Sequence, residues 1–124
     1  MFKLKRAYEP PEAADGARYL IDRLWPRGIS KASLKIDGWL KEVSPSDPLR
    51  RWFNHDPEKW NEFRQRYFAE LDSKPDALAP LVEAARSGPV TLVYSAHDAE
   101  HNNGVALAEY LEAHTTKRKI PRHH

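Results

Sequence analysis

The chain has 124 residues, 40% of them hydrophobic and 31% charged, with a net charge of +2 and no cysteine. That is the length of one domain with one apolar core; it excludes disulfides, thiolate metal sites and cysteine nucleophiles, and the charge is too mild to imply nucleic acid by itself. No apolar run approaches the ~18 residues of a membrane helix, and the basic start Met1–Arg6 has no apolar stretch behind it, so neither a signal peptide nor membrane association is expected and the cytoplasm is the expected compartment.

Phe2–Arg6 alternates apolar and basic residues, the period of a half-buried strand. Pro10-Pro11 and Asp15-Gly16 then punctuate a loop. Ala17–Trp25, with Tyr19-Leu20-Ile21 and Leu24-Trp25, reads as a second, more buried strand. Pro26 ends it, because proline has no N–H for a sheet ladder. Arg27-Gly28 and the polar residues to Ser33 form a loop. Leu34–Val43 is ambiguous. Ile36, Trp39, Leu40 and Val43 fit a helical face, but the segment is short and Gly38 weakens it.

Ser44-Pro45-Ser46-Asp47-Pro48 stops that segment and starts a brief helix, Leu49–Phe53, with Ser46 or Asp47 as N-cap. Asp56-Pro57 repeats the cap-then-proline signal. The helix from Pro57 to about Leu71 carries Trp60, Phe63, Tyr67 and Leu71 on one face, a stripe suited to docking on a core. Asp76–Arg86 is a further amphipathic helix, stopped at Ser87-Gly88. Val90-Thr91-Leu92-Val93-Tyr94 is a continuous run of β-branched, aromatic and apolar residues, as in a parallel strand buried on both faces. Gly104 to His114 forms the last helix. This order predicts an α/β fold: a small, mostly parallel sheet flanked by helices in a three-layer, Rossmann-like arrangement. Residues 1–116 form one domain, and the basic run from Lys117 to His124 is a flexible tail.

In open parallel sheets ligands bind beyond the carboxyl ends of the strands. That rule selects Ser95–Gly104, between the buried strand and the last helix. Asp98 is placed to cap that helix, which puts His101 and Asn102 in its first turn, beside free N–H groups and the positive end of the dipole. His101 there can donate to a ligand or move a proton, and is the candidate catalytic residue. His97 and His101 have the i, i+4 spacing of a zinc helix. His97 falls before the cap and no third ligand is apparent, so no metal is expected.

The rule also selects Asp22–Gly28, where Arg23 and Arg27 offer donor forks for carboxylate or phosphate. The competing reading pairs Arg23 with a buried Asp and leaves Arg27 solvated. In Trp52–Pro57, Asp56 is explained as a cap and the aromatics as core, which leaves His55 as either a structural turn histidine or one that lines the rim. No Gly-rich phosphate loop, Rossmann glycine fingerprint, nucleophile elbow or paired-carboxylate signature is present, and no cofactor is implied.

Taken together, Asp22–Gly28, Ser44-Pro45-Ser46, Arg51–Pro57 with Trp60 and Phe63, and Gly88–Tyr94 followed by Asp98, Glu100, His101 and Asn102 resemble the YeaO-like branch of the family called domain of unknown function 488. The resemblance runs in order from Tyr8 to Leu111. It implies an α/β fold and carries no established activity. Other branches place Cys residues just after the last strand, so thiol chemistry there does not transfer. Members tend to have Lys where this chain has His97, which further weakens a two-histidine zinc site.

The expected function is a pocket for a small anionic ligand, a phosphate or carboxylate, built by Arg23, Arg27, His55, Asp98, His101 and Asn102. The alternatives are a non-catalytic nucleic-acid-associated module using the basic tail, and a partner-binding module in which Arg23, Asp98 and His101 form a closed polar network.

Overall fold

A computed structural model describes residues 2–119, with side chains through His114. The apolar run Val90–Tyr94 forms strand β4, and all of it is buried. It pairs in parallel with β1 (Phe2–Arg6) on one side and β2 (Ala17–Leu20) on the other; β2 pairs in parallel with the short edge strand β3 (Gly38–Trp39). The sheet order is β1-β4-β2-β3. Every carboxyl end therefore points to one edge.

Side chains of a strand alternate between faces, and β4 serves two cores. Val90, Leu92 and Tyr94 pack on one face under α2 (Asp47–Phe53), α3 (Trp60–Asp72), α4 (Pro75–Ser87) and α5 (Asn103–Lys119). Val93 packs on the other face with Ala7, Leu20 and Leu34, backed by Trp25, Ile29, Ile36 and Trp39. On that second face the expected helical layer is reduced to the single turn α1 (Lys31–Leu34). The α3 stripe docks as its spacing demands: Phe63, Tyr67 and Leu71 are buried, and Phe63 stacks on Phe53 at 4.3 Å between centroids.

Several boundaries differ from the sequence expectation. The second strand stops at Leu20, not at Trp25. Ile21 N–H still reaches Val93 O at 3.1 Å, but the Asp22 carboxylate then takes the Ser95 N–H at 2.9 Å and the chain leaves the ladder. Within Leu34–Val43 there is no amphipathic helix. Ser30 caps α1, Gly38–Trp39 is a strand, and the candidate face divides, with Ile36 and Trp39 on one side of the sheet and Leu40 and Val43 on the other.

The last helix is capped by Asn102 rather than Asp98. Asn102 Oδ1 accepts the Val105 N–H at 2.9 Å, and α5 begins at Asn103. Asp98 instead closes the preceding turn, accepting the N–H groups of Glu100 (2.9 Å) and His101 (3.0 Å). Residues 120–124 of the basic tail lie outside the described residues. No helix among the described residues is long and apolar enough to cross a membrane.

The packing of α5 on α3 carries a pH consequence. The Tyr110 hydroxyl donates to Asp72 Oδ1 at 2.6 Å. Burial, then the Asp72 carboxylate, raises the phenol from 10.0 to about 12. The folded protein thus keeps Tyr110 neutral where the unfolded chain ionises. Its contribution is intact below about pH 10 and is lost as pH rises through the folded value. Subtracting the alkaline tyrosinate absorbance of Tyr110→Phe from that of the parent should leave a titration centred near 12; a midpoint near 10 would contradict the contact.

Candidate functional site

The carboxyl edge is knotted by two charged side chains. Arg6, which ends β1, donates from Nε to Ala96 O at 2.8 Å and from Nη2 to Ser95 O at 3.2 Å. Asp22, just past β2, accepts from Ser95 N and Oγ at 2.9 and 2.8 Å and from Asn103 Nδ2 at 3.0 Å. These bonds hold the ends of β1, β2 and β4 and the start of α5 as one rim. The 23–29 loop is fixed beside it, since Trp25 Nε1 donates to Ile29 O at 2.7 Å and Tyr8 donates its hydroxyl to Arg27 O at 3.1 Å.

Helix α2 closes the other wall. Ser46 caps it by accepting the Leu49 N–H, and Asn54 ends it in a left-handed conformation with φ of 47°. His55 follows at φ of 55°. Two successive non-glycine residues in that region are uncommon and disfavoured, and such conformations gather at functional sites.

Between these walls lies a cleft of about 1040 Å³. Arg6, Arg23, Arg27, Arg50, Arg51, His55 and His97 line it, against the carboxylates of Asp22 and Asp98. The five arginines outnumber the two aspartates, and Asp22 already accepts from three donors. The arginines are not equally committed. Arg50 pairs with Asp47 at 2.7 Å. Arg23 Nε is buried without a hydrogen-bond partner, 3.5 Å from Asp47 Oδ1. Among the described residues the side chains of Arg27, Arg51 and His55 have neither a hydrogen bond nor an ion pair. These three are exposed, whereas the buried Arg23 Nε costs free energy until an acceptor comes within bonding distance.

The structure thus brings Arg23, Arg27, His55, Asp98 and Asn102 to one cleft. His101 is not among the lining residues. Its Nδ1 lies 3.0 Å from Asp98 Oδ2, and its ring meets Trp60 edge-on at 5.4 Å. It stands behind Asp98 as a prop. The Glu100 N–H, then the His101 side chain, hold the Asp98 carboxyl below its ordinary range, so it remains an anion at neutral pH. His97 faces the Arg6 guanidinium at 3.5 Å, a poor neighbour for a metal ligand. Among the described residues no group of three or more His, Asp or Glu is placed to hold a metal ion.

Arg6 and Arg50 do not stand out in the sequence, and Asp22 and Arg51 fall inside the segments Asp22–Gly28 and Arg51–Pro57 without being candidates of their own. Applying the strand-end rule to β1 as well as β4 selects Arg6. Nothing in the local pattern distinguishes Arg50 and Arg51 from solvated helix arginines.

Residues 1–123 match a family model described as "Inactive DUF488-N3 subclade". The chain belongs to this family. The protein named "Uncharacterized protein YeaO" of Escherichia coli K12 is 42% identical over 109 residues, 88% of this chain and 95% of YeaO. "Uncharacterized protein Rv3073c" of Mycobacterium tuberculosis H37Rv is 38% identical over 109 residues, 88% of this chain and 92% of that protein. No solved structure matches the chain significantly. In this DUF488-N3 member the side chains of the basic tail, which a nucleic-acid-associated module would use, lie outside the described residues. The closed network of Arg23, Asp98 and His101 does not form, because Asp98 and His101 pair with each other while Arg23 lies beside Asp47.

Proposed function

We propose that the cleft binds an anionic ligand, through phosphate or carboxylate, and that the protein acts by binding rather than by catalysis. The observation that carries this reading is the convergence of Arg27 and Arg51, from a loop and a helix, on one cleft with no carboxylate paired to either. Arg23 adds a buried Nε that makes no hydrogen bond, with Asp47 Oδ1 3.5 Å away. Binding is favoured over chemistry because the chain has no cysteine and the Ser95 hydroxyl is built into the Asp22 brace, with no histidine bonded to it among the described residues. His101 sits behind the lining, and the subclade's own description is "inactive". The compartment proposed is the cytoplasm, which suits a cysteine-free chain.

Pyrophosphate titrated calorimetrically should bind, more weakly as salt rises. The double substitution Arg27→Ala with Arg51→Ala should weaken it at least about tenfold, since a hydrogen bond to a charged group contributes about 1.5–3 kcal/mol. The melting temperature should barely move, because neither side chain makes an ion pair or hydrogen bond among the described residues. A parent protein that ignores pyrophosphate at low salt refutes the reading.

A further inference from the structure

Resting on that anion-binding reading, we infer that the ligand is a nucleotide, whose phosphates meet the arginines and whose planar ring lies on Leu24 and Tyr8. The cleft, at about 1040 Å³, is far larger than an inorganic anion and sits at the upper end for organic ligands. Its apolar wall is also unexplained by folding. Among the described residues only Leu24 (67% exposed), Tyr8 (47%) and Leu4 (37%) are large hydrophobic side chains left exposed, and the first two line this cleft.

Leu24 is not exposed by fraying. The residues around it are anchored, with the Asp22 carbonyl accepting from Trp39 Nε1 at 2.7 Å and Trp25 bonded to Ile29 O. The loop presents Leu24 to the cleft, which the half-buried Trp25 also lines. Tyr8 is equally fixed. Its hydroxyl is held by Arg27 O at 3.1 Å, and the Arg6 guanidinium lies 5.0 Å from its ring centroid. A rigid aromatic with cations beside it suits a ligand that joins a π-face to negative charge.

Platform and cation are also neighbours. The ends of β1 and β2 are separated by β4 alone, and the Tyr8 hydroxyl donates to the backbone carbonyl of Arg27, whose guanidinium is unpaired among the described residues.

Calorimetry with pyrophosphate, ADP, GDP, CDP, UDP and a single-stranded oligothymidylate tests this. At least one nucleoside diphosphate should bind about tenfold more tightly than pyrophosphate, the scale of one stacked base. Leu24→Ala should narrow that ratio to about twofold. If pyrophosphate binds as tightly as every nucleoside diphosphate, the anion reading stands and the nucleotide inference falls. If Leu24→Ala weakens both in equal proportion, or the oligonucleotide outbinds every mononucleotide, the inference is likewise overturned. If pyrophosphate does not bind, both readings fall.

Discussion

Replacing Asp15 with Ala is expected to lower the melting temperature by roughly 10–20 °C. Asp15 and Arg18 are 5% and 4% exposed, and Arg18 Nη1 donates to Asp15 Oδ2 at 2.6 Å. Lys5 Nζ adds bonds of 3.0 and 3.1 Å, and the Glu12 N–H another of 3.0 Å. Without the carboxylate, Arg18 keeps only the carbonyls of Leu34 and Lys35 and remains a buried, uncompensated charge. Breaking such a pair from one side costs about 3–5 kcal/mol. An exposed pair such as Arg86 with Glu83, 63% and 69% exposed, contributes at most about 1 kcal/mol.

The sign with pH follows from the same contacts. Burial pushes the Asp15 carboxyl up, but the Glu12 N–H, Lys5 and Arg18 together outweigh it and hold the group below its ordinary range. A depressed carboxyl stabilises above its unfolded value, about 3.9, and that contribution disappears as pH falls through the folded value. Scanning calorimetry should therefore find the gap between parent and Asp15→Ala widest near neutrality and closing in strong acid. A neutral-pH gap of only a few degrees would mean that water reaches Arg18.

What the sequence revealed of this architecture depended on how local each cause was. The continuous apolar run Val90–Tyr94 announces a strand buried on both faces, and it is the central strand. The cap at Ser46 and the stripe Phe63, Tyr67 and Leu71 are equally local, and both hold. The end of β2 is not a local matter. Tyr19 to Trp25 looks like one strand because its apolar residues run nearly on. The Asp22 carboxylate turns it out of the sheet by bonding Ser95, seventy-three residues away. Trp25 is then buried by a different partner, Trp39, at 5.3 Å on the second face.

The same limit applies to the site. Asp98 and Asn102 are both cap formers, and only the observed helix start decides between them. With the helix beginning at Asn103, His101 falls outside its first turn and swings behind Asp98 onto Trp60. Arg23 and Arg27 could be found from the strand-end rule. Arg50 and Arg51 became candidates only once α2 was seen to close the opposite wall.

Asp22→Ala should weaken pyrophosphate binding by at least about tenfold and destabilise the fold by roughly 2–4 kcal/mol. The direction of the binding change is the informative part. Asp22 is an anion lining a cleft proposed to hold anions. Were it only a charge there, its removal would relieve repulsion and tighten binding. Its oxygens, however, are the acceptors that fasten Ser95 and Asn103 to the end of β2. Without them three donors lose their partner, and the loop bearing Arg23 and Arg27 is no longer fixed against the strand end. Asp22→Asn separates these effects. The amide keeps one oxygen for Ser95 and removes the charge, so it should retain most of the stability and bind pyrophosphate at least as well as the parent. If Ala tightened binding, the brace would be dispensable and the arginine loop would be held by Trp25, Tyr8 and the Trp39 bond to the Asp22 carbonyl.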